Sequence, residues 1–232
     1  MKILIWRTGA WGDGLVVTPL VRHLHNQGHQ IFYVGGERGE DIFKNNPHIF
    51  KMVEHDKTIK NENLGDHMQY LMRKHHCDRL IDLNESIECA LSQHPRSPSY
   101  KLPKKERLTL FNRNFYEFCF EFAGEDWAGV DLKPELFFDE SDLITARKHL
   151  KPMSYNVLIG LSGSGSNKAY PYMMDLCNNI QKTHPDVHLI TVGDLKCQLL
   201  EDAIDDVNIT KLSGNIPMRT SMALTSMVDL VI

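Results

Sequence analysis

The fold of this chain is decided by residues 2–24, KILIWRTGAWGDGLVVTPLVRHL, where an apolar run gives way to glycines and then to a helical pattern. Apolar runs rich in strand-forming residues recur at residues 30–35, 50–55 and 78–83. Helical patterns lie between them, around residues 14–27, 39–45 and 64–76. Strands that alternate with helices predict an α/β fold, with a parallel sheet covered on both faces.

The middle of the chain interrupts this alternation. Residues 92–107 contain three prolines, which restrict regular structure, and a long helix is expected to follow over residues 105–123. A strand is expected at 134–138 and a helix at 140–150, and the alternation resumes at Asn156. The sequence therefore predicts two domains, residues 1–152 and residues 153–232. Because the chain stops on the strand pattern VDLVI, we expect the second domain to be incomplete.

The composition is typical of a globular protein. Hydrophobic residues make up 42% and charged residues 24%, and the formal net charge of −4 predicts no recruitment of nucleic acid. No apolar stretch reaches the roughly 20 residues that would cross a membrane, and no signal peptide is recognisable, which predicts a cytoplasmic protein. The five cysteines lack CxxC spacing, which argues against both a disulfide framework and a zinc site.

The residue of greatest chemical interest is Asp13, which lies between Gly12 and Gly14 just beyond the first strand. Ligands of open α/β sheets bind beyond the carboxyl ends of the strands, so this acid is expected at a ligand site. Two interpretations remain open, a general base and a simple helix cap. A dinucleotide site is disfavoured because the glycines follow the order GxxGxG, which also disfavours a nicotinamide-dependent oxidoreductase.

A longer pattern makes this stretch more specific. Gly12 and Asp13 are followed by Thr18, Pro19, Arg22 and Leu24, and a second block, IGLSGSGSNKAYP, spans residues 159–171. Together they resemble glycosyltransferase family nine, the ADP-heptose:lipopolysaccharide heptosyltransferases. Residues 82–88, 188–194 and 211–232 resemble further segments of that family, in the same order.

The resemblance implies a GT-B fold with two Rossmann-like parallel-sheet domains that face a cleft. The first domain would hold an anionic glycolipid acceptor and the second a nucleotide sugar such as ADP-heptose. The sugar would be transferred with inversion, with neither a metal nor a cofactor, onto a lipopolysaccharide core or a related surface glycan. Such acceptors are lipid-anchored, which implies a position at the inner face of the cytoplasmic membrane.

The resemblance also implies roles for individual residues. Asp13 matches the catalytic base, which would take the proton of the acceptor hydroxyl. Lys168 matches the lysine that binds the donor phosphates, where it would stabilise the charge of the leaving nucleotide. The remaining donor candidates are Gly163, Ser164, Gly165, Ser166 and Gly193, and the acceptor candidates are Gly12, Thr18, Asn84, Glu85, Arg96, Lys101, Lys104 and Lys105. The alternatives are a solvated loop lysine at 168 and an ordinary helix cap at 84–86.

The basic candidates belong to one segment. Residues 95–113 contain six basic residues and one acid, and Phe111, Phe115, Phe118 and Phe122 recur at helical spacing beside them. The segment could bind an anionic glycolipid or membrane surface. The alternative, which we favour for the phenylalanines, is that they pack on the sheet while the lysines face water.

The chain departs from the family in two ways. The glutamate that often binds the donor ribose is missing after Gly193, where the nearest acids are Asp194 and Glu201, and no acid-Thr/Ser-Gly segment follows Ile232. We therefore expect that the 232-residue chain itself transfers no sugar. A non-catalytic nucleotide or glycan binding module, or an inactive fragment of such an enzyme, remains the alternative.

Overall fold

A computed structural model describes residues 1–56, 58–60, 63–84, 101–110, 112–163, 168–205 and 208–232, with the backbone alone at position 107. The chain divides into two compact units, Met1–Phe137 and Phe138–Ile232. This division falls before the boundary that we expected at residue 152. The reason is that the helix Glu140–Arg147 packs against a helix of the second unit.

The first unit is built on a four-stranded parallel sheet with the strand order β3-β2-β1-β4. Its strands are β1 (Lys2–Trp6), β2 (Gln30–Val34), β3 (Lys51–Met52) and β4 (Arg79–Asp82). Its helices are α1 (Trp11–Leu15), α2 (Thr18–Asn26), α3 (Gly36–Phe43), α4 (Leu64–His75), α5 (Lys104–Leu110) and α6 (Phe115–Phe122). Ile3 of the central strand β1 pairs with Ile31 on one side and Arg79 on the other.

The core of the first unit covers both faces of β1. Leu4 and Trp6 pack against Met68 and Leu71 of α4, while Ile5, which points to the opposite face, is also fully buried. Successive residues of a strand face opposite sides of a sheet, so a strand buried on both sides has an uninterrupted apolar sequence. This explains why KILIW contains no alternation of polar and apolar residues.

The second unit repeats this architecture with the strand order β7-β6-β5-β8, again all parallel. Its strands are β5 (Tyr155–Gly160), β6 (Val187–Val192), β7 (Ile209–Lys211) and β8 (Leu230–Val231). Its helices are α7 (Glu140–Arg147), α8 (Met173–Thr183), α9 (Gln198–Glu201) and α10 (Met218–Thr225), with a 3₁₀ turn at Leu195–Cys197. Two apolar clusters cover the two faces of this sheet, one with α8 and the other with α7 and α10.

Two expected helices are each divided in two. The helical pattern at 14–27 forms α1 and α2, because Pro19, which lacks an amide donor, fits the first turn of a new helix. The pattern at 105–123 forms α5 and α6, because Asn114 begins a new helix by accepting a hydrogen bond from the Tyr116 amide. Phe111 lies outside the described residues.

Two further expectations were wrong. Residues 134–138, all of which are described, form no strand, and side chains of α2 bind this segment instead. The phenylalanines of α6 do not form one buried stripe, because Phe118 is buried while Phe115 and Phe122 are about 40% exposed. The buried face of α6 consists of Phe118, Cys119 and Phe120.

Candidate functional site

The carboxylate of Asp13 lies just beyond the carboxyl end of β1, and both of its oxygens have partners. Its Oδ1 accepts an ion-paired hydrogen bond from Nη2 of Arg7 at 2.8 Å, and its Oδ2 accepts one from the amide of Ala10 at 2.6 Å. The Asp13 side chain is 14% exposed, so one edge of it reaches solvent. Each carboxylate oxygen has two lone pairs, so a further donor such as a substrate hydroxyl can still be accepted.

Gly9 and Gly12, both in this turn, are glycines for different structural reasons. Gly9 has a φ of +139°, and a Cβ built on it would come within 2.1 Å of Oδ2 of Asp13. Glycine is therefore required there for the carboxylate to reach the Ala10 amide. A Cβ built on Gly12 would meet no heavy atom within 4 Å, so the backbone of Gly12 is open to the approach of a ligand.

Asn84, the acceptor candidate beyond β4, is close to this turn and is used to hold it in place. Its Oδ1 accepts hydrogen bonds from the amide and the hydroxyl of Thr8 at 3.1 and 3.0 Å, and its Nδ2 donates to Asp82. Its carbonyl oxygen accepts from Nη1 of Arg7 at 3.0 Å. The structure thus brings Asn84, Arg7 and Asp13 together at one end of the sheet. Glu85 and Arg96 lie outside the described residues.

Thr18 serves a different purpose from the one predicted. Its side chain is fully buried, and its hydroxyl donates to the Leu15 carbonyl at 2.9 Å and accepts from the Glu135 amide at 3.1 Å. Arg22, one turn later, donates to the Glu135 carboxylate at 2.6 Å and to the Lys133 carbonyl at 3.2 Å. These two motif residues therefore hold the segment around Glu135 against α2, and the burial of Thr18 removes it from the acceptor candidates.

Histidine 48 adds to this cluster. Its Nε2 lies 3.1 Å from Oε1 of Glu135, and its ring packs against that of His25 at a centroid distance of 4.9 Å. Burial lowers the pKa of His48, although the Glu135 carboxylate acts in the opposite direction.

In the second unit, Lys168 and Gly163 lie next to each other beyond the end of β5. A Cβ built on Gly163 would lie 2.9 Å from both Cβ and Cδ of Lys168, so the lysine stem covers a glycine that a larger residue could not replace without displacing it. The Lys168 side chain is exposed. The rest of the predicted donor loop, Ser164, Gly165 and Ser166, lies outside the described residues.

Gly193 directly follows β6 and is tightly packed. A Cβ built there would lie 2.5 Å from Sγ of Cys197. Asp194 caps the 3₁₀ turn that follows, where its Oδ1 accepts from the amides of Lys196 and Cys197. The sequence alone gave no structural role to Asp194, although an aspartate before a short helix is a common cap.

Glu201 is a buried acid near the ends of two strands. The sequence analysis named it only as an acid in the neighbourhood of Gly193 and predicted no contacts for it. It is 3% exposed, and its Oε1 accepts four hydrogen bonds from residues beyond or near the ends of two strands. The donors are the Thr191 hydroxyl, the Leu212 amide, and the amide and hydroxyl of Ser213, at 2.6 to 3.2 Å. The carboxylate therefore joins the ends of β6 and β7. An acid inside the apolar pattern of a short helix was the signal that could have identified it.

The basic candidates of the middle segment are exposed. Lys101, just before α5, and Lys104 and Lys105, at its start, face solvent. Leu108 and Leu110 of the same helix are 50% and 45% exposed. This short helix therefore presents basic and apolar side chains together.

A groove of about 800 Å³ that sequence reasoning missed lies between α4 and the residues after β3. His55 and His67 line it, and both rings contact the Trp6 indole edge to face at centroid distances of 5.3 and 5.9 Å. Asp56 also lines it, and hydrogen bonds from the hydroxyl and amide of Thr58 lower the pKa of that carboxyl.

The described residues contain neither a metal-binding cluster nor a membrane-spanning helix. Within those residues, no three or more histidine, cysteine or acidic side chains are grouped so that they could bind a metal ion. No helix in the same part of the chain is long and apolar enough to span a membrane.

Two units, each built on a four-stranded parallel sheet, define an α/β protein with the fold of GT-B glycosyltransferases. The similar solved structures include that of a glycosyl transferase family 9 protein from Veillonella parvula DSM 2008. Its TM-score is 0.73 at 13% identity, over 99% of this chain and 74% of that one. At this identity the likeness is one of fold, and it agrees with the resemblance to family nine that the sequence motifs indicate.

Two solved structures from E. coli are also similar to this chain. ADP-heptose lps heptosyltransferase II has a TM-score of 0.69 at 14% identity, over 100% of this chain and 78% of that one. Heptosyltransferase WaaC with ADP has a TM-score of 0.63 at 13% identity, over 100% of this chain and 80% of that one. No protein-family profile matches the sequence, and no curated protein matches it.

Proposed function

We propose that this protein is an inverting, metal-independent glycosyltransferase that transfers a heptose-like sugar from a nucleotide diphosphate to a lipopolysaccharide core or a related surface glycan. The observation that carries the proposal is the carboxylate of Asp13, which is held beyond the carboxyl end of β1 in a GT-B fold. ADP and an ADP-heptose analogue are bound in the similar E. coli WaaC structures, which supports a nucleotide-sugar donor.

In the proposed reaction, the acceptor hydroxyl attacks the anomeric carbon of the sugar and gives its proton to Asp13. A carboxylate within hydrogen-bond reach removes that proton as the new bond forms. The bond between the sugar and the diphosphate breaks, and the leaving nucleotide gains negative charge. Lys168 stabilises this charge together with the turn that contains Gly163 and the backbone near Gly193.

The acceptor is proposed to bind near the exposed backbone of Gly12 and the basic residues of the middle segment. The Asn84 side chain contributes by holding the turn, because its polar atoms bind Thr8 and Asp82. We further propose that the protein works at the inner face of the cytoplasmic membrane, where a lipid-anchored acceptor would be available.

Two substitutions that each remove one charge test the catalytic assignment. Measured in a form of the protein that transfers sugar as wild type, Asp13→Asn removes the base and should lower kcat by about 10²- to 10⁴-fold while nucleotide affinity, measured by calorimetry, stays unchanged. Lys168→Gln should weaken nucleotide binding, because it removes the cation that pairs with the phosphates. Transfer is measured by mass spectrometry with ADP-heptose and a heptose-deficient lipopolysaccharide core.

Matched controls separate these effects from general damage. Asp131→Asn makes the same change at a carboxylate that is 73% exposed, and Lys182→Gln makes it near the end of α8, so both should keep normal transfer and binding. Full turnover by Asp13→Asn would eliminate Asp13 as the base.

A non-catalytic nucleotide or glycan binding module is the second candidate. It is favoured by the engagement of both Asp13 oxygens by groups of the protein itself, Arg7 and the Ala10 amide, which is compatible with a purely structural role. Saturable binding of ADP-heptose by a wild-type protein that transfers no sugar would support it.

Membrane binding is tested by vesicle sedimentation. Each basic side chain near an anionic surface contributes about 1 kcal/mol of attraction, so charge reversal at Lys101, Lys104 and Lys105, together with Arg96, should abolish binding to phosphatidylglycerol vesicles. Zwitterionic phosphatidylcholine vesicles are the control and should bind neither protein. Equal binding of both proteins to the anionic vesicles would rule out this surface.

A further inference from the structure

The side chain that fixes the Asp13 carboxylate is Arg7, the residue directly after β1. Both its backbone amide and its backbone carbonyl are hydrogen-bonded to residues of β2. The Arg7 amide donates to the Val34 carbonyl at 3.0 Å, and the Arg7 carbonyl accepts from the Tyr33 hydroxyl at 3.1 Å. Tyr33 is fully buried, and this burial raises the pKa of its phenol, so it remains a hydroxyl donor.

The guanidinium of Arg7 joins two neighbouring parts of the sheet. Its Nη1 donates to the Asn84 carbonyl beyond β4 at 3.0 Å, and its Nη2 pairs with Oδ1 of Asp13 at 2.8 Å. Arg7 is 6% exposed. A planar group with two donors in fixed directions therefore holds the carboxylate at a defined place relative to β1, β2 and β4.

The turn needs this support because its own secondary structure is weak. Asp13 lies in α1, which has five residues, and a helix of that length has little stability of its own. The Ala10 amide ties the carboxylate to the turn, while Arg7 ties it to the sheet. Loss of Arg7 would let the carboxylate move together with the turn.

We propose that Arg7 is a positioning residue that fixes the orientation of Asp13 for proton abstraction, an inference that rests on the proposed function. Arg7 has too little exposed surface to bind a substrate itself, so it acts through Asp13. A single ammonium cannot reproduce the two divergent contacts, to the Asn84 carbonyl and the Asp13 carboxylate, so lysine is not an equivalent residue at this position.

The test uses Arg7→Lys, which keeps the buried charge compensated, and Arg7→Met combined with Asp13→Asn, which removes both charges. The first readout needs no turnover. The Ala10 amide donates to the charged carboxylate at 2.6 Å, so its proton resonance should lie downfield and exchange slowly in the wild-type protein. In Arg7→Lys the resonance should move upfield and exchange at least about fivefold faster, while the Leu4 and Ile5 amides of β1 stay unchanged.

The second readout is the split between kcat and KM. A displaced base lowers kcat, so Arg7→Lys should lose on the order of 10- to 100-fold in kcat while the KM for the nucleotide sugar changes less than about twofold. The control is Arg79→Lys. Arg79 also forms a partly buried ion pair, with Glu125 at 2.8 Å, but it begins β4 at the opposite end of the sheet. It should leave both the Ala10 amide and kcat unchanged.

The outcomes are distinct. An unchanged Ala10 amide in Arg7→Lys would overturn the positioning role whether or not the protein is active. A changed Ala10 amide with wild-type kcat would overturn the link to catalysis. A changed Ala10 amide would support the contact between Arg7 and Asp13 whether or not the protein transfers sugar, so failure of the proposed function would leave this result intact. An unchanged Ala10 amide in the double variant, relative to Asp13→Asn alone, would support a pairwise interaction.

Discussion

Gly9 leaves space for a carboxylate oxygen where any side chain would collide with it. Its φ of +139° is a conformation that other residues rarely adopt, and the space beside its α-carbon is occupied by Oδ2 of Asp13. The position of the acid therefore depends on a residue with no side chain four positions before it. Gly9 is needed to leave room for the carboxylate, whereas at Gly12, three residues later, a side chain would meet no other atom.

We expect Gly9→Ala to destabilise the first unit by about 1 to 3 kcal/mol, because the added methyl group meets a charged oxygen and the backbone is strained. The free energy of unfolding in urea measures this cost. Gly12→Ala is the matched control. Its added Cβ meets nothing within 4 Å and it lies within α1, so stability should stay equal or rise slightly. Equal stability of both variants would contradict the arrangement around Gly9.

At the scale of the elements, side chains on one strand join its neighbours. His188 of β6 is buried, with Nδ1 at 2.8 Å from Oδ1 of Asn156 on β5 and Nε2 at 2.9 Å from the Thr210 hydroxyl on β7. The Asn156 oxygen also accepts from the Lys151 amide, so Nδ1 of His188 is the donor and Nε2 the acceptor. A neutral ring satisfies both neighbours, and burial, together with the Lys151 ammonium, lowers the pKa of His188.

This lowered pKa predicts how stability depends on pH. Below the unfolded-state pKa of about 6.5, the unfolded chain binds a proton that the folded protein does not, so stability falls as the pH drops toward the folded-state pKa. The free energy of unfolding of the second unit should therefore fall more steeply between pH 7 and pH 5 in the wild type than in His188→Gln. Other histidines are the same in both proteins and cancel in the comparison. Identical slopes would show that His188 does not contribute.

At the scale of the whole molecule, the chain divides into two compact units, each with its own sheet and apolar core. In the second unit, Arg219 of α10 binds Oδ2 of Asp142 on α7 through Nε at 2.9 Å and Nη2 at 2.7 Å. Both side chains are largely buried. Replacing only one of them would therefore leave an uncompensated buried charge and strongly destabilise the protein.

We expect Arg219→Met to destabilise the second unit by about 3 to 5 kcal/mol, because it leaves a buried carboxylate without its main counter-charge. Native-state hydrogen exchange should show faster exchange of the β6 amides and unchanged exchange of the β1 amides. Arg113→Met is the control, because its ion pair with Glu121 is more than one-third exposed on both sides and should cost no more than about 1 kcal/mol. Equal loss of protection in both sheets would show that the units unfold together.

The order of apolar runs, helical patterns and glycines is enough to predict the fold class and the place of the acid. Apolar strands that alternate with helices allow few arrangements other than covered parallel sheets, and the GT-B likeness is confirmed. The segment that follows the first strand must begin at the carboxyl edge of that sheet, so Asp13 could be singled out from its place in that segment. Its role as a base, like that of Lys168 in donor binding, stays a prediction.

The contacts that hold these residues in place are visible only in the tertiary structure. Arg7 and Asn84 are 77 residues apart, and Thr18 and Glu135 are 117 apart. No local pattern predicts such pairs, because they depend on which strands become neighbours and on which side chains face the same space. The same reason explains why the sequence pattern predicts an acceptor contact for Thr18 and does not predict the hydrogen bonds that Glu201 accepts. Periodicity records which residues are apolar, whereas the partner of a buried polar group is fixed by packing between distant parts of the chain.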